Sequence, residues 1–481
     1  MRRMLKGAMI AALWLGLTAT ALAAPAAAQR GDQLSRSTRE FVSVSEPVVA
    51  LVNVTLIDGT GSAPRRGQTV VIRDGKIAAV GPSASVRAPE GARVMDLAGH
   101  TVIPGLVGVH NHMFYTAAGG RSVRATFTSS RLYLASGVTT IRTTGSNAPY
   151  ADINTKAEID AGRAPGPRVH LTAPYITGPS GATYMTTITS PEQARRFVNY
   201  WGDEGATWLK AYTNIASADL KAAIDEAHNR GMRVTGHLCS VSFQEAVALG
   251  IDNLEHGLFT ASDFVAGKQQ DQCPTGLGSA VVAATPTAAP WTQTIRTMVD
   301  KKVSMTSTLA VYEPGFPNRP PRDERVLEAM APEVREAYLG YRRGVDSSAN
   351  PRPLTALKNA MAFEVAFYRA GGLLAAGVDP TGQGGALPGY GDQRNYELLI
   401  EAGFSSSEVV QIMSLNGAKI LGVDRQLGTV EVGKLADLVV VQGELAADPS
   451  AIRKTVIVFK DGVGFDPKPL IESVKGRVGI S

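Results

Sequence analysis

Between residues 103 and 379 a short apolar run recurs eight times, and each run leads into a stretch with helical periodicity. The runs lie at 103–109, 137–145, 168–174, 206–212, 232–238, 251–257, 303–309 and 372–379. Parallel strands need crossovers long enough to hold a helix, so this alternation dictates a parallel sheet covered by helices. Eight such units in about 320 residues suit a closed (β/α)8, or TIM, barrel. An open doubly wound sheet would require a phosphate-binding glycine loop after its first strand, and none is present. The clearest helix lies between the fourth and fifth runs. Ser217 reads as its N-cap, Leu220, Ala223, Ile224 and Ala227 fall at helical spacing, and Gly231 stops it. The glycines of TGQGGALPGYG (381–391) follow the eighth run and read as a mobile rim loop with no helix close behind.

Both chain ends have a different texture. Residues 49–59, 69–82 and 93–105, and again 427–443 and 454–462, are β-rich, with Asp74-Gly75 a hairpin signal. The expected organisation is therefore a signal peptide (1–28), a loose polar leader (29–45), an N-terminal β segment (46–102), the barrel (103–422) and a C-terminal β segment (423–481). Arg2, Arg3 and Lys6 precede an apolar run and two small-residue cleavage options, Ala21-Leu22-Ala23 and Ala26-Ala27-Ala28. That is the pattern of a secretory signal peptide cut near Ala23 or Ala28, and it predicts a periplasmic or secreted protein with no membrane attachment after cleavage. Removing those three basic residues takes the formal net charge from +5 to +2, which leaves no case for nucleic-acid binding. The two cysteines, Cys239 and Cys273, either form one disulfide in an oxidising compartment or remain free thiols.

Of seven histidines, four stand at or beside the ends of predicted barrel strands: His110 and His112 on the first, His237 on the fifth and His256 on the sixth. Residues i and i+2 of a strand share a face, so His110 and His112 can converge. Lys210 ends the fourth strand and Asp379 the eighth, which neighbours the first when a barrel closes. Each has a structural explanation taken singly, but together they form a ring at one mouth. Imidazole and carboxylate ligands suit zinc, with manganese, iron and nickel as alternatives. His100, His170 and His228 lack such partners. Two insertions, 258–292 and 310–353, follow the sixth and seventh strands and are candidates for enclosing a substrate.

The segments VIPGLVGVHNH (102–112), WLKAY (208–212), VTGHL (234–238), NLEHG (253–257), AAGVD (375–379) and LGTVEVGKLADLVVV (427–441) resemble the amidohydrolase superfamily, in particular its imidazolonepropionase- and prolidase-like branch. The resemblance implies a barrel flanked by a small β-sandwich built from both chain ends. It implies that His110, His112 and Asp379 hold one divalent metal, that His237 and His256 hold a second, and that Lys210, N6-carboxylated, bridges them. One departure is Gly108, where the family often has Asp.

The expected chemistry is hydrolysis of an amide bond in a small molecule by metal-activated hydroxide, with Asp379 as base and then acid. A dipeptide or N-acyl amino acid is the first candidate substrate, and a cyclic amide, lactone or amide-bearing xenobiotic the alternative. Tyr212, Arg142, Tyr312 and Tyr390 are candidate substrate contacts. A binding protein without activity on the same scaffold is the reading from another class. Serine-hydrolase and HExxH protease motifs are absent. Barrels of this kind commonly pair, so a homo-oligomer is expected.

Overall fold

The computed structural model describes residues 31–480; the expected signal peptide and both cleavage options lie outside them. Each of the eight apolar runs contains a parallel strand. They are Leu106–Asn111, Val138–Thr143, a third interrupted at Leu171 (Arg168–His170 and Thr172–Thr177), Trp208–Ala211, Arg233–Gly236, Asn253–Glu255, Ser304–Ser307 and Leu374–Ala376. Nearly every residue in these strands is buried, because helices cover one face and the other points inward. The interrupted third strand joins two sheets, its first half pairing with the second strand and its second half with the fourth. At the opposite seam the Asp379 amide donates to the His110 carbonyl at 2.8 Å. Gly377 makes that approach feasible, since a Cβ there would lie 2.4 Å from the His110 nitrogen. The result is a TIM-barrel-like fold.

The two chain ends meet in one continuous nine-stranded sheet. Val48–Leu56 and His100–Pro104 from the N-terminal side bond to each other, and Leu438–Gln442 from the C-terminal side bonds to His100–Pro104. The run LVVVQ shows why this segment is apolar throughout. Leu438 and Val440 pack with Val49, Leu51, Val102 and Phe459 inside the end sheet, while Val439 and Val441 face the barrel core. The turn at Asp74-Gly75 has both residues at positive φ, as a two-residue hairpin requires.

Three local expectations need correction. Residues 31–44 are not a loose leader: Ser35 caps a short helix, Arg36–Arg39, and Val42–Val44 pairs with Val463–Phe465, with Val44 fully buried. Ser217 is the first residue of its helix (Ser217–Asn229) rather than the cap, because its hydroxyl is drawn to Asp271. The 381–391 stretch does lead straight into a helix, Tyr390–Ala402, which Asp392 caps by accepting from the Gly389 amide at 3.0 Å. Among the described residues no helix is long and apolar enough to cross a membrane.

Candidate metal centre

The barrel mouth opens into a cavity of about 450 Å³ whose lining includes His110, His112, Lys210, His237, His256 and Asp379. All six residues singled out as candidate ligands are thus brought to one place. Strand register explains how: His110 lies on the first strand and His112 two residues on, just past its end, and Lys210 lies one residue before the end of the fourth strand, in register with Thr235 of the fifth. His256 and Asp379 follow their strands in left-handed backbone, at φ 69° and 47°, a conformation uncommon for residues other than glycine.

Three of the histidines are held by one ring nitrogen, leaving the other for the cavity. His110 Nδ1 lies 2.7 Å from Glu255 Oε2, His112 Nδ1 3.1 Å from the Gly145 carbonyl, and His256 Nδ1 2.7 Å from Thr308 Oγ1. A partner on Nδ1 fixes the tautomer that presents a bare Nε2, the form that binds metals. His110 Nε2 and His112 Nε2 approach Asp379 at 3.5 and 3.2 Å. Buried His256 Nε2 and Lys210 Nζ have no hydrogen-bond partner. Donor atoms of His110, His256 and Asp379 all lie within 4.8 Å of one another, a group that draws on both of the expected ligand sets. His237 sits between rings, 4.4 Å from His256 and 4.5 Å from Tyr212.

Electrostatics favour the ligating forms. Burial, aided by the Lys210 charge, pulls His110 well below the ordinary imidazole range and His237 down to about 3, so both rings are neutral. Burial also draws the Lys210 ammonium down to about 8, against the opposing charges of Glu255 and Asp379. Burial alone would raise Asp379, but hydrogen bonding holds its carboxyl below the usual range. Thr381 donates to its Oδ1 at 2.8 Å and fixes the carboxylate. Orphaned buried nitrogens, neutral imidazoles and an ionised carboxylate fit divalent metal.

Of the four candidate substrate contacts, Tyr212 and Tyr312 line the cavity and two do not. Arg142 is fully buried beneath the mouth, donating to Glu255 Oε1 at 2.6 Å and lying over the Trp208 ring. It is drawn inward by a buried carboxylate and cannot meet a substrate. Tyr390, in the first turn of its helix, lines a separate cavity of about 340 Å³ under Arg325. The insertion 310–353 supplies Val311, Tyr312, Gly315, Tyr341 and Arg352 to the metal cavity. The insertion 258–292 supplies no lining residue; its Phe259 stacks behind Tyr312 at 4.0 Å. Cys239 and Cys273 form a disulfide.

Sequence reasoning missed Glu255. This buried carboxylate accepts from His110 Nδ1, Arg142 and Thr235 and lies 3.9 Å from Lys210 Nζ. It also gave no account of Gly108. A Cβ there would lie 2.3 Å from the Asn111 amide, so the space is already filled by Asn111, which bonds Asp392 and the Val378 amide.

A family model for the amidohydrolase family matches residues 101–468. The chain belongs to the amidohydrolase family. Among solved structures, it is similar to a protein from Bifidobacterium longum assigned as a prolidase, at 24% identity and TM-score 0.61, covering 89% of this chain and 98% of that one. It is similar to a Xaa-Pro dipeptidase with bound methionine (19%, TM-score 0.65, covering 87% and 100%). A bottromycin amidohydrolase gives 19% and TM-score 0.66, covering 91% and 96%. The fold is thus that of prolidase-like members, as the resemblance implied. A curated relative, the 5'-deoxyadenosine deaminase of Methanobrevibacter smithii, is 31% identical over 72 residues, spanning 14% of this chain and 17% of that protein's length.

Proposed function

We propose that this amidohydrolase hydrolyses a carbon–nitrogen amide bond at a pair of divalent metal ions, zinc first, in a dipeptide or N-acyl amino acid. The observation that carries this reading is the convergence of bare imidazole nitrogens, Asp379 and a buried lysine without a hydrogen-bond partner at one mouth. His110, His112 and Asp379 would hold one ion, and His237 and His256 the other. Bound there, such ions supply Lewis acidity, which makes a water nucleophilic near neutrality and polarises a carbonyl. Lys210 would bridge them as a carbamate, formed when its neutral amine adds carbon dioxide and loses a proton. The buried Nζ without a hydrogen-bond partner and its depressed pKa support that form. Asp379, oriented by Thr381, accepts the proton of the attacking water and returns it to the leaving nitrogen, which departs poorly unless protonated.

Replacing Asp379 with Asn tests the assignment on the zinc-loaded protein. Turnover of an amide substrate should fall by at least about 100-fold, the scale of general acid–base catalysis. Near-normal kcat would remove Asp379 from the proton path. Metal analysis of the zinc-loaded wild type should find two ions per chain, and fewer than one would favour the binding-protein reading. Export is part of the same proposal, supported by the signal-like N-terminus and by the disulfide, which suits an oxidising compartment.

A further inference from the structure

Resting on the reading that this cavity cleaves amides, we infer that Arg352 binds a substrate carboxylate and that the substrate is an N-acylated amino acid without a free ammonium. Arg352 lines the cavity from the seventh-strand insertion, its guanidinium over the rings of Phe259 at 4.9 Å and Phe316 at 4.6 Å. Four arginines of that insertion are paired, Arg319 with Glu313 and Glu401, Arg322 with Glu324, Arg325 with Asp323 and Arg342 with Asp346, while Arg335 and Arg343 are exposed and lie outside the cavity lining. Arg352 is the insertion's one arginine that lines the cavity, and it has no ion pair or hydrogen bond among the described residues. Burial pulls its pKa down, so an anion placed against it relieves an uncompensated charge. A planar, stacked guanidinium is built for a bidentate carboxylate.

The rest of the lining decides which carboxylate-bearing amide fits. Asp379 is the one acidic side chain among the lining residues, and His110, His112 and Thr381 already engage it. An α-ammonium on the substrate would enter a cavity holding the Arg352 guanidinium and, on that reading, divalent metal, with Asp379 and carboxylated Lys210 both turned to the metal and no free anion left to receive it. Aromatic walls, Phe114, Tyr175, Tyr184, Tyr212 and Tyr341, suit an uncharged acyl group and side chain. Tyr312 links the two ends, stacked on Phe259 below Arg352 and 5.6 Å from the His256 ring. A carboxylate seated at Arg352 therefore points the adjacent amide toward the histidines.

The test compares, on zinc-loaded full-length protein, three matched amides for each of several side chains. They are N-acetyl-Xaa, glycyl-Xaa (the same molecule plus an ammonium) and the N-alkyl acetamide lacking the carboxylate. N-acetyl-Xaa should exceed both others in kcat/KM by about tenfold or more. Arg352→Met, which keeps the stacked stem, should lower kcat/KM on N-acetyl-Xaa by about 10- to 100-fold, chiefly through KM, and leave the N-alkyl acetamide unchanged. Arg352→Lys should recover part of the loss. Equal loss on both substrates, or glycyl-Xaa matching N-acetyl-Xaa, overturns the inference. Should none of the three amides be cleaved, the amide reading itself falls, and calorimetric binding of N-acetyl-Xaa still decides the role of Arg352. Binding that survives Arg352→Met sinks it.

Discussion

Glu255→Gln separates the charge balance beneath the mouth from the ligands above it. Glu255 and Arg142 are both fully buried, 2.6 Å apart, and the same carboxylate receives His110 Nδ1 and Thr235 and faces Lys210. Its ionised form is maintained despite burial because Lys210 and Arg142 stabilise it. An amide of the same shape keeps the packing but strands the guanidinium, whose Nη1 already lacks a partner. Breaking a buried pair from one side costs about 3–5 kcal/mol. His110 also loses the anion that fixes its tautomer, and loss of such a partner typically weakens metal affinity by about 10- to 100-fold. Denaturant unfolding of the metal-free protein reads the first effect, and zinc competition against a chromogenic chelator the second. The double variant Arg142→Met/Glu255→Gln should regain most of the stability while metal affinity stays low, since only the first effect depends on Arg142. If Glu255→Gln alone changes stability by less than about 0.5 kcal/mol and leaves zinc affinity within twofold, this account of the buried network is wrong.

Two further outcomes follow from groups away from the mouth. The Cys239–Cys273 bond closes a 34-residue separation, so reduction or the double serine variant should lower unfolding free energy by roughly 2–4 kcal/mol; denaturation curves of oxidised and reduced protein check this. Asp152 is buried, and burial raises its carboxyl to about 7 against a weaker opposing bond from Ser146. The native state then keeps a proton that the unfolded chain releases near 3.8, so stability falls as pH rises between those values and flattens above about 7. Asp152→Asn should lack that slope, gaining up to about 4 kcal/mol on the wild type at pH 8 relative to pH 4. Parallel pH profiles for the two proteins would refute the raised carboxyl.

What could be read from the chain follows from periodicity. His110 and His112 were visible because a strand repeats every two residues, and Lys210, His237, His256 and Asp379 because each stands where an apolar run stops. Arg142 obeys the same period, yet it was misplaced as a substrate contact. Periodicity gives the inward face of a strand but not the depth along the barrel axis, and Arg142 lies at the level of Glu255, below the mouth. Tyr390 failed for a different reason: its glycine-rich approach hid a helix start, set by the Asp392 cap, that takes in the last two residues of the loop reading. Arg352 carried no local signal, since an unpaired arginine differs from a paired one only in neighbours that the fold supplies. Glu255 was within reach by another route. A barrel interior that buries Lys210 and Arg142 must hold an anion near both, because uncompensated charge is too costly to bury. Asp379 faces the histidines at the mouth, which leaves the carboxylate of NLEHG, at the end of the sixth strand, to balance them. Spacing locates the groups that grip a metal, and charge neutrality locates the group that lets them be buried together.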